Sequence, residues 1–149
     1  MSVFRIARVP GAEDLPLPGY QSDQAAGMDL YAHVNSDVII GPGDRIIVPT
    51  GVVIALPEGF EGQVRPRSGL SFKHGVTTLN APGTIDADYR GELSVSLINH
   101  GKEAHTICRG DRIAQLVVAR YERVRWDEQP YIDPAETSRG AEGYGSTGS

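Results

Sequence analysis

The residues best suited to chemistry lie in one stretch, Asn80-Ala81-Pro82-Gly83-Thr84-Ile85-Asp86-Ala87-Asp88-Tyr89-Arg90-Gly91-Glu92-Leu93-Ser94-Val95. Carboxylates, a tyrosine and an arginine are crowded among glycines and a proline, between apolar, β-branched flanks. That composition predicts a hairpin that leaves a strand, turns tightly and re-enters the sheet. Asp86 and Asp88 are two residues apart, so on a strand they share a face. Paired carboxylates can hold a metal or activate a water; aspartates beside glycine also serve as plain turn residues.

Three further constellations carry charge. Arg65-Pro66-Arg67-Ser68-Gly69-Leu70 opens a short helical candidate, Ser68 to His74, closed by Gly75. Ser68 can cap that helix, and the same N-terminus, flanked by arginines, suits a phosphate. Asp29 lies among Met28, Leu30 and Tyr31, so it needs a partner. That partner is either a structural cation or a Mg²⁺ reached through water. The tail from Arg139 to Ser149 mixes glycines, hydroxyls, Arg139 and Tyr144. It lacks the lysine of a Walker A loop. An arginine and an aromatic among glycines suit a lid over a charged, ring-bearing ligand. His33, His74, His100, His105 and Cys108 show no zinc spacing, and no Gly-x-Ser-x-Gly elbow is present.

The elements that position these groups are short. The chain has 149 residues, 18 of them glycine and 10 proline, which favours one domain of many brief strands. Strand signals recur with turns about every 8–12 residues, the spacing of a sandwich or barrel. Candidate strands include Ser2 to Arg8, Val38 to Ile40, Phe60 to Val64, Val76 to Leu79 and Glu92 to Asn99. Arg45 to Val48 and Val52 to Ala55 read as a pair around Pro49-Thr50-Gly51, and Ile113 to Tyr121 as a strand buried on both faces. From Asp127 onward little is aliphatic, so the division is a β-barrel over 1–126 and an arm over 127–149 that has no core of its own. Net charge is −5 with no basic block, which argues against bulk nucleic acid. The single cysteine fits a reducing compartment, and no signal peptide or membrane span is visible, so a cytoplasmic location is expected.

Five ordered motifs resemble those of the trimeric dUTP pyrophosphatase (dUTPase) family. They are Ala26-Gly27-Met28-Asp29-Leu30-Tyr31-Ala32, Pro66-Arg67-Ser68-Gly69-Leu70, Asn80 through Glu92, Gly110-Asp111-Arg112-Ile113-Ala114-Gln115-Leu116, and Arg139-Gly140 through Gly143-Tyr144-Gly145-Ser146-Thr147-Gly148. One departure is Glu142, where the family's last motif usually has glycine; Tyr144 stands where phenylalanine is common.

The resemblance implies an all-β, jelly-roll-like barrel with one short helix and a flexible Gly-rich tail. It implies a homotrimer with shared active sites, the tail of one subunit closing the site of another. The reaction is dUTP plus water giving dUMP and pyrophosphate, with Mg²⁺ as cofactor. Its role is to limit uracil in DNA and to supply dUMP for dTMP synthesis. Asp86 holds and deprotonates the water that strikes the α-phosphorus. Arg67, Ser68, Gly69 and Gln115 hold the phosphates, Arg139 neutralises their distal end, and Asp29 reaches Mg²⁺ through water. Asn80 and backbone groups around Gly83, Thr84, Ile85 and Ser94 read uracil. Tyr89 packs on the sugar and excludes a 2′-hydroxyl, and Tyr144 stacks on the base. A dCTP deaminase, or a deaminase–dUTPase hybrid, of the same superfamily and a non-catalytic nucleotide-binding or capsid-like jelly roll are the rival readings; the length and Gly-Ser-Thr-Gly tail fit the dUTPase better.

Overall fold

Alternating apolar residues and dense turn residues favour strands, and the computed structural model, which describes residues 3–143, is built from them. Its strands are β1 (Arg5–Arg8), β2 (Gly27–Tyr31), β3 (Val38–Ile40), β4 (Arg45–Pro49), β5 (Val52–Ala55), β6 (Phe60–Arg65), β7 (Val76–Thr78), β8 (Gly83–Ile85), β9 (Ser94–Asn99), β10 (His105–Ile107) and β11 (Arg112–Arg120). The helix α1 (Ser68–His74) lies between β6 and β7, and a single 3-10 turn, Pro134–Glu136, lies in the tail. The fold is the all-β, jelly-roll-like class expected from the sequence.

The larger sheet runs β2-β11-β6-β8 and a second runs β4-β9-β7; β1 pairs with β5 and β10 with β3. All the pairings are antiparallel. Alternation sorts each strand into a core face and an outer face. On β9, Val95, Leu97 and Asn99 are buried while Ser94, Ser96 and Ile98 are not. Val95 and Leu97 join Leu30, Ile40, Val48, Ile107 and Ile113 in one core. Asn99 is fully buried because every polar atom is used: Nδ2 donates to the Ile40 and Glu103 carbonyls, and Oδ1 accepts from Gly101 N–H. No helix among the described residues is long and apolar enough to cross a membrane.

Three local expectations differ from the structure. The stretch from Asn80 to Val95 is not a hairpin. β8 joins β6 in the larger sheet and β9 joins β4 and β7 in the other, so the segment crosses between sheets. Likewise β4 and β5 do not pair with each other; β4 takes β9 and β5 takes β1. The turn between them is diverted because Thr50 N–H and Oγ1 both donate to Leu93 O and Gly51 takes a left-handed φ of 76°. Finally, Ser68 does not cap α1. It is the first helical residue, Arg67 holds the cap position, and no side chain caps the first turn. The helix ends as expected at Gly75, in the left-handed conformation with its N–H on Ser71 O.

Candidate active site

Three of the expected residues, Asp29, Gln115 and Arg67, gather where β2, β11 and the end of β6 lie side by side. Asp29 faces Gln115 in the β2–β11 register, and Gln115 faces Arg65 in the β11–β6 register. Arg67, two residues beyond the end of β6, reaches Asp29 across β11. Arg67 Nε donates to Asp29 Oδ1 at 3.1 Å, and Arg112 Nη1 stands 3.5 Å from Oδ2. Gln115 Nε2 makes a long contact of 3.5 Å with Oδ1. Arg67 Nη1 also donates to Arg112 O. The Asp29 side chain is only 3% exposed, so this ion pairing is what makes its burial tolerable. Ser68 and Gly69 are exposed at the start of α1, and a Cβ at Gly69 would meet only open space. Arg67 and Arg112 line a cleft of about 270 Å³ with Asp111 and His105. Burial pushes the His105 imidazole down, helped by the His74 ring beside it and opposed by Asp111. Arg112 was not among the expected site residues. The signal was present, since a buried Asp29 with two oxygens asks for more than one cation.

The other expected residues stand elsewhere on the chain. β8 is an edge strand paired only with β6, so Gly83, Thr84 and Ile85 leave one side of their backbone unpaired among the described residues. β9 has β7 beside it only from Leu97 to Asn99, so among the described residues Ser94 has a strand on one side only. Asn80, exposed in the crossing segment, lies against Gly83, where a Cβ would come within 3.1 Å of its Nδ2. Asp86 follows β8 directly, with its carboxylate exposed, in a cleft of about 720 Å³ shared with Asp88, Arg90, Arg5 and Arg123. Because β8 stops at Ile85, Asp86 and Asp88 lie in a turn, closed by Tyr89 N–H on Asp86 O, and not on a strand face. The Tyr89 ring folds over Gly91, and its hydroxyl donates to Glu92 O at 3.1 Å. Arg139 is exposed in the tail, its Nε donating to Glu142 O. Tyr144 lies outside the described residues.

Asp86 and Arg67 line different clefts. Strands in a sheet stand ~4.8 Å apart and residues rise ~3.3 Å along them, so Ile85, three strands across and three residues along, lies roughly 17 Å from Asp29. Asp86 is beyond it.

The match to known proteins spans the chain. The dUTPase family profile covers residues 13–148. The chain belongs to the dUTPase family. A deoxyuridine 5'-triphosphate nucleotidohydrolase of Wolbachia pipientis wMel is 53% identical over 143 residues, 96% of this chain and 94% of that relative. The corresponding protein of the Wolbachia of Drosophila simulans (strain wRi) is 54% identical over the same shares. Among solved structures, the dUTPase of Staphylococcus bacteriophage 80alpha with dUPNHPP superposes with a TM-score of 0.87 at 22% identity, covering 100% of both chains. A mutant dUTPase from phage phi11 of S. aureus, described with a structural Mg(II) ion, gives 0.77 at 22% identity over 88% of this chain and 99% of that one. At that identity the structural likeness speaks for the dUTPase fold.

Proposed function

We propose that this member of the dUTPase family hydrolyses dUTP to dUMP and pyrophosphate, with a water on Asp86 attacking the α-phosphorus. The observation that carries the reading is the exposed Asp86 carboxylate, set directly after an edge strand with unpaired backbone groups. Those groups supply a fixed pattern of donors and acceptors suited to uracil and mismatched to cytosine. Asn80 and Ser94 complete the base site, and Tyr89 packs on the sugar. Asp86 orients the water and takes its proton as the new P–O bond forms and the bond to pyrophosphate breaks. Arg67, Ser68, Gly69 and Gln115 hold the phosphate chain. Arg139 and Tyr144 act from the tail, Arg139 on the distal phosphates and Tyr144 on the base.

The separation of the two groups supports a homotrimer with shared sites. A water on Asp86 must come within ~3–3.5 Å of a phosphorus that Arg67 also holds. The roughly 17 Å between Ile85 and Asp29 along the sheet therefore favours Asp86 from one subunit and Arg67 from another. The division into a barrel, 1–126, and an arm, 127–149, belongs to the same reading. Residues 122–143 are exposed throughout, and Val124, Trp126, Tyr131 and Ile132 are at least 70% exposed, as expected of an arm that docks on another subunit.

Among the described residues no three His, Cys, Asp or Glu side chains form a metal-holding group, and both Asp29 oxygens meet guanidinium groups. This set does not suit a protein-caged ion. It fits Mg²⁺ carried by the substrate phosphates and reaching Asp29 through water. When bound, Mg²⁺ would neutralise phosphate charge and make pyrophosphate a better leaving group. A cytoplasmic setting is part of the same proposal.

The test is pyrophosphate release from dUTP with Mg²⁺, beside dCTP, dTTP and UTP, for wild type and Asp86→Asn. Turnover of dUTP alone, lost in the variant, is expected. No turnover by folded wild-type protein would overturn the reading, and ammonia release from dCTP would replace it with a deaminase.

A further inference from the structure

Three segments distant in sequence converge on the His33 ring. His33 follows β2, and its Nδ1 lies 3.3 Å from Glu92 Oε1. Its Nε2 lies 3.2 Å from the carbonyl of Gly11. Glu92 Oε1 also accepts the N–H of Gly51 at 2.8 Å. Gly51 leaves the space that the ring fills: a Cβ there would stand 3.2 Å from His33 Cγ. The arrangement is largely enclosed, with the His33 side chain 15% exposed and that of Glu92 31%.

Glu92 is also the far end of the turn that carries Tyr89. Its backbone carbonyl accepts the Tyr89 hydroxyl, while Leu93 is pinned by Thr50 and Val52. The side chain of Glu92 thus ties the turn to the body of the barrel, and His33 is one of its two donors. We propose that His33 is a positioning residue for nucleoside selection: its ring bridges Glu92 and Gly11 and so fixes the turn on which Tyr89 stands. The proposal rests on the reading of Tyr89 as the group that packs on the sugar.

A carboxylate oxygen and a backbone carbonyl are both acceptors, so both contacts are hydrogen bonds only when both ring nitrogens carry protons. Other charged groups face the same place. Arg109, from the turn between β10 and β11, donates to Gly11 O and is paired with Asp14; Glu13 accepts from Gly11 N–H.

The experiment measures kcat and KM for dUTP and for UTP in wild type, His33→Ala and His33→Gln, with thermal unfolding of each. A lost hydrogen bond to a charged group, passed on in part to Tyr89, predicts a fall of about 10-fold in the preference for dUTP over UTP in His33→Ala. The change should lie mainly in KM for dUTP, with His33→Gln, which keeps one donor, in between. A variant with lowered melting temperature and an unaltered dUTP preference would show a merely structural role and overturn the proposal. Should His33→Ala fail to fold, His33→Gln decides: an unaltered preference for dUTP over UTP in folded His33→Gln overturns the proposal. Wild type inactive on dUTP would instead strike at the proposed reaction, a distinct result.

Discussion

Arg67 Nε and Asp29 Oδ1 stand 3.1 Å apart, with the arginine side chain 26% exposed and the aspartate 3%. The carboxylate is thus the buried anchor and the guanidinium the half-open group that a phosphate can reach. Asp29→Ala leaves Arg67 and Arg112 facing each other without their shared anion. Breaking a buried pair costs about 3–5 kcal/mol, and solvent at the arginines brings the expected loss here to roughly 2–3 kcal/mol. Chemical denaturation measures it. Affinity for a triphosphate analogue should fall with it, since Arg67 loses its aim; unchanged affinity would separate Asp29 from the phosphate site.

Asp86→Asn keeps the size of the side chain and removes its ability to take a proton. The expected loss is about 10²–10⁴ in kcat, the range of a positioned general base. Binding of dUMP, followed by calorimetry, should stay within a few-fold of wild type, because the exposed carboxylate packs under no other group needed for the base. A variant that still turns over at the wild-type rate would move the base elsewhere in the 720 Å³ cleft, with Asp88 the next candidate.

Gly91→Ala places a methyl inside contact distance of the Tyr89 ring. The ring is 44% exposed and can swing away, so folding should change little while the sugar-facing position is lost. A rise in KM for dUTP and a fall of about 10-fold in preference over UTP are expected, by the same share of interaction energy as one lost hydrogen bond or stacking contact. Kinetics with both nucleotides check this, and equal effects on dUTP and UTP would argue that the ring does not face the sugar.

What the sequence made legible was the existence of elements more than their partners. The alternation in Ser94–Asn99 and the apolar run in Arg112–Arg120 mark strands because burial by faces leaves that trace directly. The pairing of β4 with β9, and of β5 with β1, leaves none, since a short link such as Pro49-Thr50-Gly51 reads as a hairpin until a distant group is known to divert it. That group, Leu93 O, lies more than forty residues away. The site divides in the same way. Asp29 asked for a partner on chemical grounds alone, but Arg112 as a second partner needed the β2–β11 register. Glu92 and His33, 59 residues apart, had no local signal at all.

Acid should release the ion pair that ties the N-terminal connection to the turn between β10 and β11. The Arg109 guanidinium, bonded to both oxygens of Asp14, holds that carboxyl at about 2 against an ordinary 3.8. Because the folded value lies below the unfolded one, the contribution to stability is present above about pH 4 and is lost as pH falls through about 2. The pair is on the surface, so its effect is small and weakened by salt. Melting temperatures of wild type and Asp14→Asn should differ above pH 4 and converge near pH 2; a gap that persists at pH 2 would mean the amide disturbs more than the charge.

The division of the site between subunits predicts rescue by mixing. Asp86→Asn and Arg67→Ala should each be nearly inactive alone. If Arg67 and Asp86 of one site come from different subunits, trimers assembled from both variants contain sites in which Arg67 comes from the Asp86→Asn chain and Asp86 from the other. At equal mixing each site draws its two residues independently, so about a quarter of the sites are intact and about a quarter of the wild-type rate returns after co-refolding. Were both residues contributed by the same chain, every site would carry one lesion and no rate would return. The roughly 17 Å between Ile85 and Asp29 along the sheet favours recovery. Truncation after Ser138 in the Arg67→Ala chain alone extends the measurement. If the tail closes a site built by its neighbours, the recovered rate should fall wherever the truncated chain would have supplied Arg139.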